Sequence, residues 1–220
     1  METESRELLV EGAKSFGLSL EQESIEALDR YLKELQKWNS KINLTALRTE
    51  KEIVLKHFLD SLSVAPYLPE SGALLDMGSG AGFPGMVLEI VIPGLRTTLL
   101  DSVRKKIDFQ RHVIRTLGLK GIDALHARVQ DQEVLDRYGE HFDVVVSRAF
   151  SDVMTFLDLS HPLLKKGGLA LAMKGRKETD EAFLSRESQT GSYRLTGIHT
   201  FLLPFSRLER SIFLFRKQPD

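Results

Sequence analysis

The chain has 220 residues, 42% hydrophobic and 28% charged, the balance of a globular protein; collagen-like, wholly disordered and membrane-bundle architectures are excluded. Against about 150 residues per domain, this length predicts one domain or a domain with an appendage, with a core it can bury unaided. Zero cysteines remove disulfides, thiolate metal sites and thiol nucleophiles together. Six histidines, at 57, 112, 126, 141, 161 and 199, form no His-Glu-x-x-His pair, so no metal is expected. No apolar run approaches the ~18 residues of a membrane span. Met1 to Val10 carries three glutamates and lacks a secretory signal, so a cytoplasmic location is expected.

The near-neutral total of 30 basic and 31 acidic residues conceals local imbalance. Residues 1 to 40 are net −4, residues 101 to 120 net +4, and residues 159 to 177 hold Lys165, Lys166, Lys174, Arg176 and Lys177 with no acid. Such segments present a basic face to an anionic partner or are merely solvated turns.

The first third reads helical. Leu8, Leu9, Ala13 and Phe16 share a face that Gly17 ends, and Ser19 with Gln22 has the form of a capping box. Ile25, Leu28, Leu32, Leu35 and Trp38 then follow at helical spacing, and a third helix is predicted around Glu50 to Ala65. Residues 1–66 are therefore expected to form a helical extension to a second unit, 67–220.

Beyond Pro69 the pattern changes. Strands are predicted at Ala73–Met77, Thr97–Asp101, Ile122–His126, Phe142–Ser147 and Leu169–Met173. Helices are predicted at Pro84–Val91, Val103–Leu117, about Gln130–Tyr138, and Ser151–Leu164. This alternation means right-handed crossovers and a mainly parallel sheet. Tyr193–Leu203 and Ser211–Phe215 read as an antiparallel closing pair. The fold class is α/β and Rossmann-like, with an antiparallel last strand.

Residues 73 to 85, Ala-Leu-Leu-Asp-Met-Gly-Ser-Gly-Ala-Gly-Phe-Pro-Gly, are the most informative. A strand ends in the acid Asp76, runs into a glycine-rich turn and opens a helix. Such turns sit at the carboxyl edge of the sheet, where ligands of open α/β proteins bind. Gly80-x-Gly82-x-x-Gly85 matches the dinucleotide pattern formally. However, Asp76 precedes the glycines, and Pro84 removes an amide that a pyrophosphate would use. A cofactor with a cationic centre tolerates that carboxylate better. Asp101, 25 residues after Asp76, suits ribose hydroxyls in either case. The glycine pattern itself resembles motif I of class I S-adenosylmethionine (SAM) methyltransferases.

The resemblance becomes specific when five segments are taken together. Asp-Met-Gly-Ser-Gly-Ala-Gly-Phe-Pro-Gly (76 to 85), Leu-Leu-Asp-Ser-Val-Arg-Lys-Lys (99 to 106), Ser-Arg-Ala-Phe (147 to 150), Trp-Asn-x-x-x-Asn-Leu-Thr (38 to 45) and His-Phe-Leu-Asp-Ser-Leu (57 to 62) occur in the order seen in the glucose-inhibited division protein B family. The chain resembles that family from about residue 20 to 215. The resemblance implies SAM-dependent methylation of N7 of a guanine in 16S rRNA of the small ribosomal subunit. It implies SAM contacts at Asp76, Gly78, Gly80, Gly82 and Phe83 of the first loop, and at Asp101 and Ser102 on the ribose side. The backbone of Val129 and Gln130 would meet the adenine, and Arg148 the methionine or reaction side as a positioning group. The family usually reads Arg-Ala-Glu where this chain has Arg128-Val129-Gln130, so only a backbone role carries over there.

Guanine N7 has a free lone pair, so no general base is expected; holding donor and acceptor in line supplies the acceleration. Lys105, Lys106, Lys165, Lys166, Lys174 and Arg176 are candidate phosphate contacts. Phe150 fits either core packing or base stacking. His57 and Trp38 read as packing residues, and Asn39 and Asn43 as caps or turns. The near-neutral net charge favours a structured particle over bulk electrostatics as the source of affinity. A monomer is expected. Two other classes compete: an NAD(P)-type oxidoreductase, and a noncatalytic RNA-binding assembly factor on the same scaffold.

Overall fold

A computed structural model describes residues 1–148, 150, 152–175 and 191–219. Helices α1 (Thr3–Lys14) and α2 (Gln22–Ile42) come first, followed by α3 (Glu50–Ile53), a π-helical turn (Val54–Leu59) and α4 (Asp60–Leu62). Strands β1 (Gly72–Met77), β2 (Leu95–Asp101), β3 (Ile122–His126) and β4 (Phe142–Ser147) then alternate with α5 (Gly85–Val91), α6 (Arg104–Leu117) and α7 (Gln132–Tyr138). Helix α8 (Val153–Ser160) and strands β5 (Leu164–Gly175), β6 (Tyr193–Leu202) and β7 (Glu209–Lys217) complete the order. Among the described residues no helix is long and apolar enough to cross a membrane.

The seven strands lie in the order β3-β2-β1-β4-β5-β7-β6. Strands β1 to β5 pair in parallel, and β7 is antiparallel to both β5 and β6. The reversed strand is thus inserted between two that run the same way. The chain moves outward from β1 to β3 and returns to β4 beside β1, so the topological switch point lies between β1 and β4, where a ligand crevice opens.

The sheet is buried on both faces, which explains its near-continuous apolar strands. Leu75, Val145, Ala170 and Ala172 join α8 residues Phe156 and Leu157 on one face. Leu74, Val144, Val146, Leu169 and Leu171 join Leu88 of α5 on the other. A further apolar cluster connects Leu28, Tyr31 and Leu35 of α2 to Phe58, Phe83, Leu99 and Phe109. The N-terminal helices therefore share a core with the glycine loop.

Several local expectations change in the structure. Helix α2 begins at Gln22 with Glu21 in the cap position and no side-chain cap, so Ser19 forms no capping box. Leu18 and Leu20 pack against the core on either side of it and hold that stretch outside the helix. A capping box exists instead at Thr49 and Glu52. Helix α8 stops at Ser160, and Leu164 already belongs to β5. Pro162 between them cannot continue a helix.

Candidate active site

The turn after β1 is fastened from several sides. Gly78 N–H and Ser79 N–H both donate to the Leu100 carbonyl, at 2.8 and 3.0 Å, tying the turn to β2. Gln110 of α6 donates from Nε2 to Ser79 Oγ and to the Gly80 carbonyl, each at 2.8 Å. The Tyr31 hydroxyl of α2 donates to the Ala81 carbonyl at 2.5 Å. Gly82 has φ of 103°, and a Cβ there would meet that hydroxyl at 2.8 Å, so both the backbone and the space require glycine.

Asp76 lies beneath this turn and is fully buried. Its Oδ2 accepts from Gly85 N–H at 2.7 Å, the first amide of α5. Burial raises its pKa to about 7 against the opposing pull of that hydrogen bond and of Arg148. A Cβ on Gly85 would come within 2.6 Å of Leu99 and 2.8 Å of Asp76, so the third glycine lets the helix approach the strand. The amide that a pyrophosphate would need is thus already taken by a carboxylate, which removes the physical basis of the dinucleotide reading.

Three neighbouring hollows that share lining residues follow the carboxyl edge. The first, about 400 Å³, is lined by Gly78, Asp101, Ser102, Lys106, Val129, Gln130 and Phe150, among others. The second, about 240 Å³, shares Gly78 and Lys106 and adds Gly80, Phe83, His57 and Arg148. The third, about 470 Å³, shares His57 and Arg148 and is walled by Lys56, Asp60, Lys174 and Arg210. Asp101 stands at the end of β2 in the first hollow. Its carboxylate accepts from Gly80 N–H at 2.9 Å and Val103 N–H at 2.8 Å, with Lys106 Nζ at 3.4 Å. Those bonds fill Oδ2 and half of Oδ1 and leave an Oδ1 lone pair for a ribose hydroxyl. Glycine floor, carboxylate rim and the backbone of Val129 and Gln130 fit an adenosyl group, and the second hollow fits its methionine arm.

Arg148, immediately after β4, joins the second hollow to the third. Its guanidinium donates to the Lys56 carbonyl and Asp60 Oδ2, both at 3.1 Å, and faces His57 Nδ1 at 3.1 Å. It also lies 5.5 Å from the centre of the Phe83 ring. Arginine only donates, so His57 Nδ1 is the acceptor, and the proton sits on Nε2, which donates to Thr45 Oγ1 at 2.8 Å. Burial, reinforced by the Arg148 charge, lowers the His57 pKa to about 3, so the ring is neutral. It stacks on Phe83 at 4.3 Å. Asp60, almost fully buried, also accepts from Arg210 Nε at 2.8 Å, so two guanidinium groups share one carboxylate. Asn39 closes the network by accepting from Thr45 N–H at 2.9 Å.

The structure gathers Gly78, Gly80, Phe83, Asp101, Ser102, Val129, Gln130 and Arg148 around the first two hollows. Asp76 and Gly82 lie behind the loop and support it. Lys106 reaches the site, and Lys105 is exposed on α6. Lys174 is buried, with its ammonium bonded to the Phe150 carbonyl. Phe150 itself packs on Phe156 of α8 at 6.1 Å while lining the first hollow. Lys165 and Lys166 stand at the start of β5, the opposite edge of the sheet, and Lys165 pairs with Asp143 at 2.8 Å. Arg176 lies outside the described residues. From the sequence no site role was assigned to Tyr31, Thr45, His57, Asp60, Gln110 or Arg210. Gln110 carried a signal, a polar residue in the buried stripe of a helix. Asp60 and His57 carried another, three residues apart and so on one helix face.

An open α/β sheet with this strand order, a glycine turn after β1 and an acid at the end of β2 defines the class I SAM-dependent methyltransferase fold. Solved structures agree on the fold: TYW2 of M. jannaschii in complex with AdoMet superposes with a TM-score of 0.58 at 15% identity over 73% of this chain and 75% of that one. MtNAS in complex with MTA and tNA gives 0.57 at 15% identity, over 90% of this chain and 71% of that one. The family model described as rRNA small subunit methyltransferase G matches residues 24–205. The chain is 42% identical over 221 residues to the Ribosomal RNA small subunit methyltransferase G of Geobacter metallireducens, covering all of both chains. To that of Acetivibrio thermocellus it is 39% identical, over 98% of this chain and 90% of the relative. The chain belongs to the rRNA small subunit methyltransferase G family and is a methyltransferase with SAM as its cofactor.

Proposed function

We propose that this enzyme methylates N7 of a guanine in the 16S rRNA of the small ribosomal subunit, binding SAM in the first two hollows and the acceptor base in the third. The observation that carries this reading is that Arg148 lines both the second hollow and the third. SAM, when bound, supplies a methyl group on a sulfonium centre. The chain's own residues hold and orient. Asp101 and the Val129–Gln130 backbone fix the adenosyl end, the glycine turn sets the floor, and Phe83 with the neutral His57 makes an apolar wall that excludes water. Arg148, held at four points, sits where the donor and acceptor spaces meet and positions them in line.

No side chain is assigned as a base. His57 is the group best placed for one, yet its Nδ1 is committed to Arg148 and its Nε2 carries the proton. Guanine N7 has no proton to surrender, so a site whose described residues offer no available base suits that acceptor. The reading takes the enzyme to be a cytoplasmic monomer acting on an assembled or assembling subunit, supported by the near-neutral net charge of −1, which leaves little bulk attraction for naked RNA.

Tritium transfer from labelled SAM to small subunits lacking the modification tests it, with nuclease digestion and identification of the labelled nucleoside. Label in 7-methylguanosine is expected. Label in another nucleoside overturns the acceptor atom, and SAM binding without transfer overturns the acceptor.

A further inference from the structure

The β6–β7 hairpin reaches the carboxyl edge of the sheet, its last pair being Leu202 opposite Glu209. The turn that closes it is cross-bonded. Leu203 N–H donates to the Leu208 carbonyl at 2.8 Å and Ser206 N–H to the Leu203 carbonyl at 3.1 Å. Ser206 Oγ donates to that same carbonyl at 2.9 Å and accepts from Leu208 N–H at 3.1 Å. Leu203 itself is wholly buried and anchors the turn in the core. In the four-residue turn from Leu203 to Ser206, Pro204 is second and Phe205 third. With proline second and a positive φ third, the turn has the type II pattern, whose third place belongs to Gly or Asn. Phe205 takes φ of 58° there.

Phe205 therefore breaks two local rules at once. A bulky side chain occupies a left-handed backbone position, and the residue is 61% exposed, as is Leu202 of the same hairpin end at 63%. Neither feature contributes to folding, and such outliers gather where a protein meets a ligand. The surroundings define the ligand. Arg207 is exposed two residues on, and Arg210 lines the third hollow with Arg148, Lys56 and Lys174. Among the described residues the acids of the hairpin end and of the third hollow are Glu209 and Asp60, the latter shared by two arginines. Among the described residues Leu202 and Phe205 are the exposed large apolar side chains, and the exposed Arg207 on the same turn supplies charge that suits an anionic partner. An exposed flat ring on a cross-bonded turn that also carries Arg207 fits an anionic chain of flat bases.

We propose that Phe205 is a platform on which an unpaired RNA base next to the reacting guanine stacks, with Arg207 beside that nucleotide's phosphate. The inference rests on the function proposed above and adds a second subsite to it. A cross-bonded turn costs little ordering on binding, and base stacking on an aromatic ring is tolerant of sequence.

Phe205→Gly separates this role from a structural one, because glycine relieves the backbone and leaves the turn bonds intact. The variant is expected to melt no lower than the parent and to bind SAM unchanged. Its kcat/KM for small subunits should fall about tenfold, through KM, the order expected when one stacked base is removed. Phe205→Trp should restore it. Unchanged kcat/KM in Phe205→Gly overturns the inference. Crosslinking from a benzophenone side chain at position 205 in the presence of subunits should label rRNA, and label in ribosomal protein alone overturns it. The parent enzyme is the control: its failure to transfer methyl to subunits overturns the proposed function, whereas failure of the variant effect overturns only the platform.

Discussion

Each edge of the sheet carries basic residues around a hollow, three of them around one hollow at the amino edge and six around three hollows at the carboxyl edge, yet only the carboxyl edge is built as a site. At the amino edge, Lys165, Lys166 and Arg216 border a hollow of about 480 Å³ with Tyr67 and Asp143. There Lys165 is neutralised by a half-exposed Asp143, and Arg216 bonds the Gly167 carbonyl at 3.0 Å. At the carboxyl edge, two arginines share one buried carboxylate, a histidine is held neutral, and the glycine turn is fastened by Tyr31 and Gln110. A basic segment in sequence locates charge but not function. What marks the functional edge is charge fixed by buried partners at the ends of parallel strands.

The largest expected effect follows from Arg148. Arg148→Lys keeps the charge but cannot reach the Lys56 carbonyl, Asp60 and His57 together. Methyl transfer to subunits should fall about 100-fold in kcat/KM, as when one oriented donor is removed from a preorganised site. Thermal melting should change little, since Asp60 retains Arg210. An Arg148→Lys enzyme within a few fold of the parent would detach the network from the chemistry.

Next comes Gly85→Ala. Its Cβ would press on Leu99 and Asp76 within 2.9 Å, and neither has room to give. Overpacking of this kind costs about 1 to 3 kcal/mol, readable as a lower melting temperature and weaker SAM binding together. An unchanged melting temperature would mean that the close approach of α5 to β1 is not required.

A third prediction concerns pH. His57 has a folded pKa of about 3 against an ordinary imidazole value of 6.5, so between these values the unfolded chain holds a proton that the folded chain does not. Stability is therefore full above pH 6.5 and is lost as pH falls towards 3. Asp76, raised from 3.8 to about 7, acts in the opposite sense: the folded chain holds the proton, and stability declines as pH rises through that window. In denaturant titrations at several pH values, His57→Asn should flatten the acid limb and Asp76→Asn the other. Parallel curves for parent and variants would sink both assignments.

These residues also show how far the sequence could be read. The glycine turn, Asp101 and the strand alternation were legible because each follows from short-range geometry, a positive φ, a helix period or a strand end. Arg148 was legible through the Ser-Arg-Ala-Phe segment that the chain shares with its family. The Arg148–His57–Asp60–Arg210 network was not, because Arg210 lies 150 residues from Asp60 and meets it only through the insertion of β7 beside β5. The π-helical turn was equally hidden. An apolar pattern over Glu50 to Ala65 predicts a helix, but nothing in it announces the turn that carries Lys56, whose carbonyl meets Arg148. Among the lysines, composition placed Lys174 in the same cluster as Lys165, whereas the pleat buries the first and leaves the second at the far edge.

The smallest expected effect tests that last distinction. If the amino edge is a solvated face, Lys165→Ala with Lys166→Ala should change kcat/KM for subunits by less than about threefold and leave its salt dependence alone, since removing a single phosphate interaction would lower the log–log salt slope by about one. Breaking the Lys165–Asp143 pair should likewise cost at most about 1 kcal/mol, because both partners are solvent-accessible. Lys106→Ala at the other edge is the matched comparison. It removes one charge from the wall shared by the first two hollows and releases Asp101 from a 3.4 Å contact, so its effect should appear in SAM binding as well as in transfer. A steep salt-dependent loss in the Lys165/Lys166 double variant, equal to or larger than that of Lys106→Ala, would mean that the particle wraps around the sheet to its amino edge. The two faces would then be two halves of one RNA-binding surface.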